Sequence, residues 1–402
     1  MDWRKVVAAL LPATVVITAT LCLLTWAERL PDQIRVMLSW TPVILSGAAL
    51  LAALHFNRSR AFFAILSIVV AWFALTSGAH TSGFAGYALF DAVSVFLPLN
   101  LMVFAMIGER GVFTRAGSLR FLLIFLEIVF VWIVLWSQSD KLAWLLSMPL
   151  FESALTRAIA IEPPGLLMML VAVLLFHGRL VLSPDPMRAA FFASTIAVVL
   201  ALYDGVHTPW TGALLGSAGL VFLVALLQTS WRMAFLDELT GLPGRRALEE
   251  RLMKLGDDFV IAMVDVDHFK RFNDTWGHDA GDEVLRMVGA RLASIEAGGR
   301  AYRYGGEEFT IVFSGCDVRD TLAALGALRK RIADETFTIR RRNRRAGEAR
   351  RGAGDDDREV NITISIGVAG AAHGGDSPHE VMRSADKALY RAKNAGRNQI
   401  CR

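Results

Sequence analysis

The sequence predicts two architectures in one chain, an α-helical transmembrane bundle over residues 1–230 and an α/β domain over residues 231–402. Three observations predict it. Apolar residues make up 54% of the 402 positions, and the excess is concentrated before residue 230. In that half, apolar segments of membrane-crossing length recur with short polar breaks; after it, short apolar runs alternate with amphipathic helical periods. The formal net charge of +4 is modest, with Arg gathered in the loops between apolar segments and at residues 340–351.

The candidate spans are residues 6–26, 36–56, 61–77, 87–107, 119–137, 166–182, 189–203 and 210–228, about eight in all. Most match roughly 30 Å of hydrocarbon, and the shortest need a thinned bilayer or help from flanking residues. Residues 27–35 offer no small-residue cleavage pattern, so the first span reads as retained. An even number of spans puts both termini on one side. Arg4, Lys5, Arg58, Arg60, Arg110, Arg115, Arg120, Arg179, Arg188 and Arg232 then fall inside, against Arg29, Arg35, Lys141 and Arg157 outside, as the positive-inside tendency requires.

Residues 138–164 form the longest outer loop. Their stretch L-A-W-L-L-S-M-P-L-F-E-S-A-L is apolar enough to lie in the interface, re-enter, or add a partial span. Glu127 stands inside L-L-I-F-L-E-I-V-F-V-W, where a charge is costly. It reads either as a position that senses a proton, cation or ligand, or as a protonated or paired carboxyl in helix packing. Residues 227–236 hold no Gly or Pro, so the last span is free to continue as one helix toward D-E-L-T-G-L. Cys22, Cys316 and Cys401 are scattered, which predicts neither a disulfide framework nor a zinc site.

In the second half, the apolar run 259–264 ends in Asp265 and Asp267, so a buried strand delivers carboxylates to its C-terminal end. A second strand, 310–313, follows Gly305 and Gly306, whose freedom at positive φ suits a tight hairpin that presents Glu307 beside Asp265. Such a pair makes a magnesium site completed by substrate oxygens. Val284, Leu285, Val288, Leu292 and Ile295 share one helical face, and Leu322, Leu325, Leu328 and Ile332 another. Isoleucines alternating with Thr363, Ser365 and Gly367 predict a half-buried strand over 362–368.

Six blocks agree in order: D-E-L-T-G-L-P-G-R-R at 237–246, V-D-H-F-K at 266–270, N-D-T-W-G-H-D-A-G-D at 273–282, R-Y-G-G-E-E-F at 303–309, I-T-I-S-I-G-V-A at 362–369, and A-D-K-A-L-Y-R-A-K-N-A-G-R-N at 385–398. On these residues the segment 236–402 resembles the GGDEF domain of diguanylate cyclases in its G-G-E-E-F variant. The resemblance implies an antiparallel-rich, palm-like fold shared by nucleotidyl cyclases and polymerases. It further implies condensation of two GTP into cyclic di-GMP with release of two pyrophosphates. Because one domain holds one GTP, a two-fold homodimer is implied.

The same resemblance distributes the roles. Magnesium, or manganese, sits on Asp265, Glu307 and the Val266 carbonyl; N–H groups around His268, Phe269 and Lys270 cradle the phosphates, and Lys270 adds charge. Lys393 and Arg397, spaced i and i+4 on the last helix, reach the terminal phosphate together. Asn273 and Asp282 read guanine through its paired donors, and they also suit a turn cap and a helix start. His278 lines the nucleotide pocket or orients its loop. Glu307 doubles as proton acceptor for the 3′-hydroxyl, with Glu308 in support.

Residues 1–230 resemble only generically the multi-span input domains that precede many GGDEF domains, so an input ligand is expected whose identity no motif states. GTP use places both termini in the cytoplasm, with the bundle in a bacterial inner membrane. Three departures stand out. Glu296 and Gly299 occupy the ends of the stretch where many relatives carry an R-x-x-D product site, so no tight product inhibition is expected there. Gly244 replaces the usual Asn before a helix, at small cost. Residues 340–359 read as a solvated, disordered Arg-rich insertion, with contact to anionic lipid headgroups as the functional alternative. Its lack of aromatic residues argues against nucleic acid as a partner.

Overall fold

The computed structural model describes residues 3–26, 29–79, 81, 83–150, 159–203, 208–339, 358–371 and 376–402, and these divide into two compact units, Met1–Ser230 and Trp231–Arg402.

The first unit is built from helices α1 (Trp3–Thr25), α2 (Asp32–Ser39), α3 (Thr41–His55), α4 (Ser59–Ala79), α5 (Phe84–Met106), α6 (Arg115–Ser137), α7 (Asp140–Ser147), α8 (Pro163–Leu182) and α9 (Pro186–Leu202), with α10 (Thr208–Phe235) running from it. Six helices among the described residues are long and apolar enough to cross a membrane, or seven if α2 and α3, bent by 42°, count as one broken span. The break falls at Trp40 because Pro42 occupies the first turn of α3, a position where its missing N–H and fixed φ start a helix and cannot continue one. The apolar helix α9, with 17 residues, is shorter than those six. Of the loop 138–164, residues 140–147 form α7 and residues 151–158 lie outside the described set.

Packing explains which helices sit inside. Ring contacts Phe63–Phe104 (5.5 Å) and Phe191–Phe222 (5.0 Å) tie α4 to α5 and α9 to α10 through side chains that are fully buried. Gly216 lets α10 approach the start of α3: a Cβ there would meet Thr41 Oγ1 at 2.5 Å. Small residues at such crossings are how membrane helices gain contact without a hydrophobic driving force. Helix α10 continues unbroken to Phe235, as the lack of Gly and Pro predicts.

The second unit holds α11 (Arg245–Leu252), β1 (Phe259–Val266), α12 (Phe269–Trp276), α13 (His278–Ala293), β2 (Arg300–Arg303), β3 (Glu308–Ser314), α14 (Val318–Ala333), β4 (Thr336–Ile339), β5 (Arg358–Asn361), β6 (Ile364–Gly370), α15 (Pro378–Asn394) and β7 (Ile400–Cys401). The main sheet has the order β2-β3-β1-β6-β7, antiparallel except for the β6–β7 pair, and β4 with β5 forms a separate hairpin ladder. Central β1 is buried along its whole length. Val284, Leu285, Val288 and Leu292 of α13 join the core on one side of it, with Leu325, Leu328 and Ile332 of α14. Thr321, not Leu322, completes the buried stripe of α14.

Two expectations are corrected here. Strand β6 is buried on both faces from Ile364 to Val368, where alternation predicts one exposed face. The small residues on its second face admit α15 at close range: a Cβ on Gly367 would lie 2.0 Å from Leu389 N. Arg358 and Glu359, read as part of the disordered insertion, pair with Ile339 and Thr338 in the β4–β5 ladder. Residues 340–357, the rest of that insertion, lie outside the described set.

Candidate active site

The end of β1 meets the turn between β2 and β3. Asp265 is the cross-strand partner of Glu308, and Val266 N–H donates to the Glu307 carbonyl at 3.4 Å, which sets Glu307 next to the carboxylate the strand delivers. The turn is closed by Tyr304 N–H and Gly305 N–H, both donating to Glu308 O (2.9 and 3.1 Å). Arg303 braces it from outside: its guanidinium donates to Gly305 O (3.2 Å), Gly306 O (2.7 Å) and Asp237 Oδ1 (2.8 Å). Asp237 also caps its own turn, accepting from Thr240 N and Oγ1 at 2.8 and 2.7 Å.

Electrostatics single out the carboxylates. Burial, followed by the proximity of Asp265, raises the Glu307 carboxyl above its ordinary range. Burial likewise raises Asp265, against the opposing hydrogen bond and charge of Lys393, whose Nζ lies 2.8 Å from Oδ2. A buried and a half-buried carboxylate, Asp265 and Glu307, at the end of one strand and the turn beside it form a donor set suited to a hard divalent cation. Among the described residues no three His, Cys, Asp or Glu side chains gather as a cage. An open set of this kind fits magnesium, which keeps positions for water and substrate phosphate.

Asp267, the other acidic residue delivered by this strand end, has a different task. Its oxygens accept from Ser365 Oγ (2.6 Å), Thr363 Oγ1 (2.7 Å) and Asn398 N–H (3.0 Å), so it pins β6 and the 396–398 turn to the end of β1.

His268 adopts φ 58° and caps α12, whose first turn follows at Phe269 and Lys270. A left-handed residue leading into a helix turns consecutive N–H groups into an anion-accepting concavity, reinforced by the helix dipole. Phe269 is buried and anchors the turn, while His268 and Lys270 are exposed.

Gly277, at φ 87°, separates α12 from α13 and folds Asn273 against Gly281. A Cβ on Gly281 would lie 1.8 Å from Asn273 Oδ1. That buried oxygen accepts no hydrogen bond among the described residues. Asp282 follows Gly281 and is half-buried, and His278 is exposed at the start of α13.

Arg397 requires a correction. Helix α15 ends at Asn394, Gly396 takes φ 113°, and Arg397 N–H bonds back to Ala392 O at 3.0 Å, so Arg397 sits in the turn that closes the helix (φ 64°). It is exposed and is not the i+4 neighbour of Lys393 on a helix. Gly244 caps α11 without a side-chain bond, through backbone contacts that include Leu248 N–H to Gly244 O at 3.1 Å.

Residues 234–399 match the family described as "Diguanylate cyclase, GGDEF domain". The segment is 37% identical over 183 residues to the response regulator PleD of Caulobacter vibrioides, covering 43% of this chain and 37% of that protein. It is 36% identical over 182 residues to the diguanylate cyclase DgcP of Pseudomonas aeruginosa, covering 43% of this chain and 25% of that one. The chain thus spans well under half the length of these relatives. A crystal structure of the coiled coil and GGDEF domain of DgcB from Caulobacter crescentus in complex with c-di-GMP shares 32% identity, covering 44% of this chain and 88% of that one, with a TM-score of 0.38.

Proposed function

We propose that the GGDEF domain of residues 234–399 condenses two GTP into cyclic di-GMP with release of two pyrophosphates, and that the helical unit before it holds the chain in a bacterial inner membrane and receives a signal there. The observation that carries the catalytic reading is Asp265 at the end of the central strand, with Lys393 on its carboxylate and Glu307 on the turn bonded to Val266, within a segment 36% identical to a protein named a diguanylate cyclase.

Asp265, Glu307 and the Val266 carbonyl are the groups that would hold magnesium or manganese. Bound there, the ion supplies charge neutralisation for the phosphates. The chain's own residues do the rest. The N–H groups at His268, Phe269 and Lys270 orient the β- and γ-phosphates, and Lys270, Lys393 and Arg397 offset their charge. Asn273 and Asp282 accept or pair with the guanine edge, whose N1–H and exocyclic amine are the donors that Asp282 requires and adenine lacks. Glu307, whose carboxyl is raised above its ordinary range by burial and by Asp265, is suited as a carboxylate to receive the proton of the attacking 3′-hydroxyl, with Glu308 in support. Joining two nucleotides takes two such domains face to face, hence a homodimer. About eight membrane passes with both termini cytoplasmic agree with the arginine distribution and with a cytoplasmic substrate.

The test is turnover of GTP with Mg²⁺ by the detergent-solubilised chain, beside Glu307→Ala. Cyclic di-GMP and pyrophosphate are expected from the first alone. Equal product from both removes the assignment.

A further inference from the structure

Helices α4, α5 and α6 line a partly open cavity of about 500 Å³ within the first unit. The sequence makes the room: Ala71 and Ala74 on α4 and Ala92 on α5 line it where neighbouring positions carry large side chains. Its walls are almost wholly apolar, among them Phe96, Leu97, Ile124 and Trp132. A volume of this size is that of a small-molecule site. The outer wall, α6, has only 17% of its apolar window buried, which on the membrane reading turns that wall and the mouth of the cavity toward the hydrocarbon.

Four polar side chains interrupt the apolar lining, Ser67, Ser77, Asn100 and Glu127; the Ser67 hydroxyl donates to Phe63 O within its own helix at 2.9 Å, and Asn100 and Glu127 are paired across helices. Asn100 Nδ2 donates to Glu127 Oε2 at 2.7 Å. Asn100 is 4% exposed, and its Oδ1 accepts no hydrogen bond among the described residues. A pair that served only to pack helices would leave neither an empty volume beside it nor an orphaned amide oxygen, because an unmet acceptor in hydrocarbon is costly. Asn100 and Glu127 both line the same apolar space, and the Asn100 Oδ1 beside it is a buried acceptor with no partner among the described residues. What is missing is a donor.

We propose that this cavity binds an apolar small molecule whose head carries a hydrogen-bond donor, a hydroxyl or a protonated amine, received by Asn100 and Glu127 while the hydrophobic body fills the space between α4, α5 and α6. The inference rests on the reading of this unit as membrane-embedded and is independent of the GTP chemistry.

The experiment uses the full chain in lipid nanodiscs, and incorporation itself checks the membrane reading. A long-chain alcohol bearing a diazirine is photolysed, and labelled peptides are mapped by mass spectrometry. Dodecanol, dodecylamine and methyl dodecyl ether serve as unlabelled competitors. Labelling is expected on α4, α5 and α6 around Phe96 and Trp132. Dodecanol or dodecylamine should compete at least about tenfold better than the ether, since a site built to accept a donor rejects the analogue that lacks it. Competition by the alcohol identifies a hydroxyl head, and by the amine a cationic one. Ala74→Phe, which fills the space without touching the polar pair, should abolish the labelling, and Glu127→Gln should retain it within about threefold because the amide oxygen still accepts. The double variant Glu127→Leu, Asn100→Leu should let the ether compete as well as the alcohol. Equal competition by ether and alcohol in the unaltered chain, or labelling that persists in Ala74→Phe, overturns the proposal and leaves a crevice filled by any lipid chain. Because labelling is read and turnover is not, either result leaves the cyclase reading where it stands.

Discussion

Lys393 Nζ stands 2.8 Å from Asp265 Oδ2, so the cation carried by α15 already rests on the carboxylate at the end of the central strand. The acid is 5% exposed at its side chain and the lysine 32%, which makes the pair a buried anion reached by a half-open cation. On the proposed reading, a lysine so placed would hold the site together before nucleotide arrives and move toward phosphate afterwards. Lys393→Met should lower cyclic di-GMP formation by roughly 10²-fold, the usual loss when one charge-stabilising group is removed. The chain should still fold, since Asp265 is already pushed toward its neutral form by burial. Initial rates beside thermal melting check this; a variant that turns over at the full rate removes Lys393 from the mechanism.

Asp237 gives the second prediction, on pH. Burial pushes this carboxyl up, yet the bonds from Thr240 and Arg303 outweigh burial and hold it below the usual carboxylate range. A depressed folded value means stability that is present above the unfolded pKa of about 3.9 and lost as pH falls through the lower folded one. Asp237→Asn should therefore cost about 1.5–3 kcal/mol at neutral pH, the range for hydrogen bonds to a charged group. The gap between variant and wild type should close as pH falls below about 4. Melting curves of both across pH 3–7 read it directly. A gap unchanged with pH means the ion pair with Arg303 contributes nothing.

How much of this was legible in the sequence depends on range. The apolar run into Asp265, and a glycine pair before Glu307, predict the strand end and the turn because each is a local property of a few residues. The half-buried reading of β6 failed because burial of its second face depends on α15 pressing on Gly367, a contact that alternation within the strand does not contain. Arg397 was misplaced for a local reason: the i, i+4 spacing from Lys393 outweighed Gly396, the residue that ends the helix between them. Asp267 was read beside Asp265 as a delivered carboxylate. Its bonds to Thr363, Ser365 and Asn398 come from segments about a hundred residues away, beyond any periodicity.

Gly281 is predicted to set nucleotide affinity without touching nucleotide. A Cβ would lie 1.8 Å from Asn273 Oδ1, so Gly281→Ala must push the Asn273 amide from its place. The expected result is a KM for GTP raised by about tenfold or more, with kcat less affected, because base recognition is lost while the groups at Asp265 and Glu307 are untouched. Steady-state kinetics separate the two parameters. An unchanged KM means Asn273 does not read the base.

Gly299 closes the argument about product control. By the resemblance it stands at the Asp position of an R-x-x-D product site, and a Cβ there would meet Phe313 Cε1 at 2.6 Å and Ile295 Cγ2 at 3.1 Å. Phe313 is fully buried in β3 and has nowhere to yield, so the glycine is demanded by packing. Glu296→Arg alone puts an arginine on an exposed turn and should be tolerated. Adding Gly299→Asp forces a carboxylate against the Phe313 ring and should lower stability by about 1–3 kcal/mol, the cost of overpacking a filled core. Thermal melting and product-inhibition curves of the single and double variants test this together. A double variant that melts like wild type and gains strong product inhibition would show that the core around Phe313 can open, and that the departure at Gly299 reflects lost regulation and not packing.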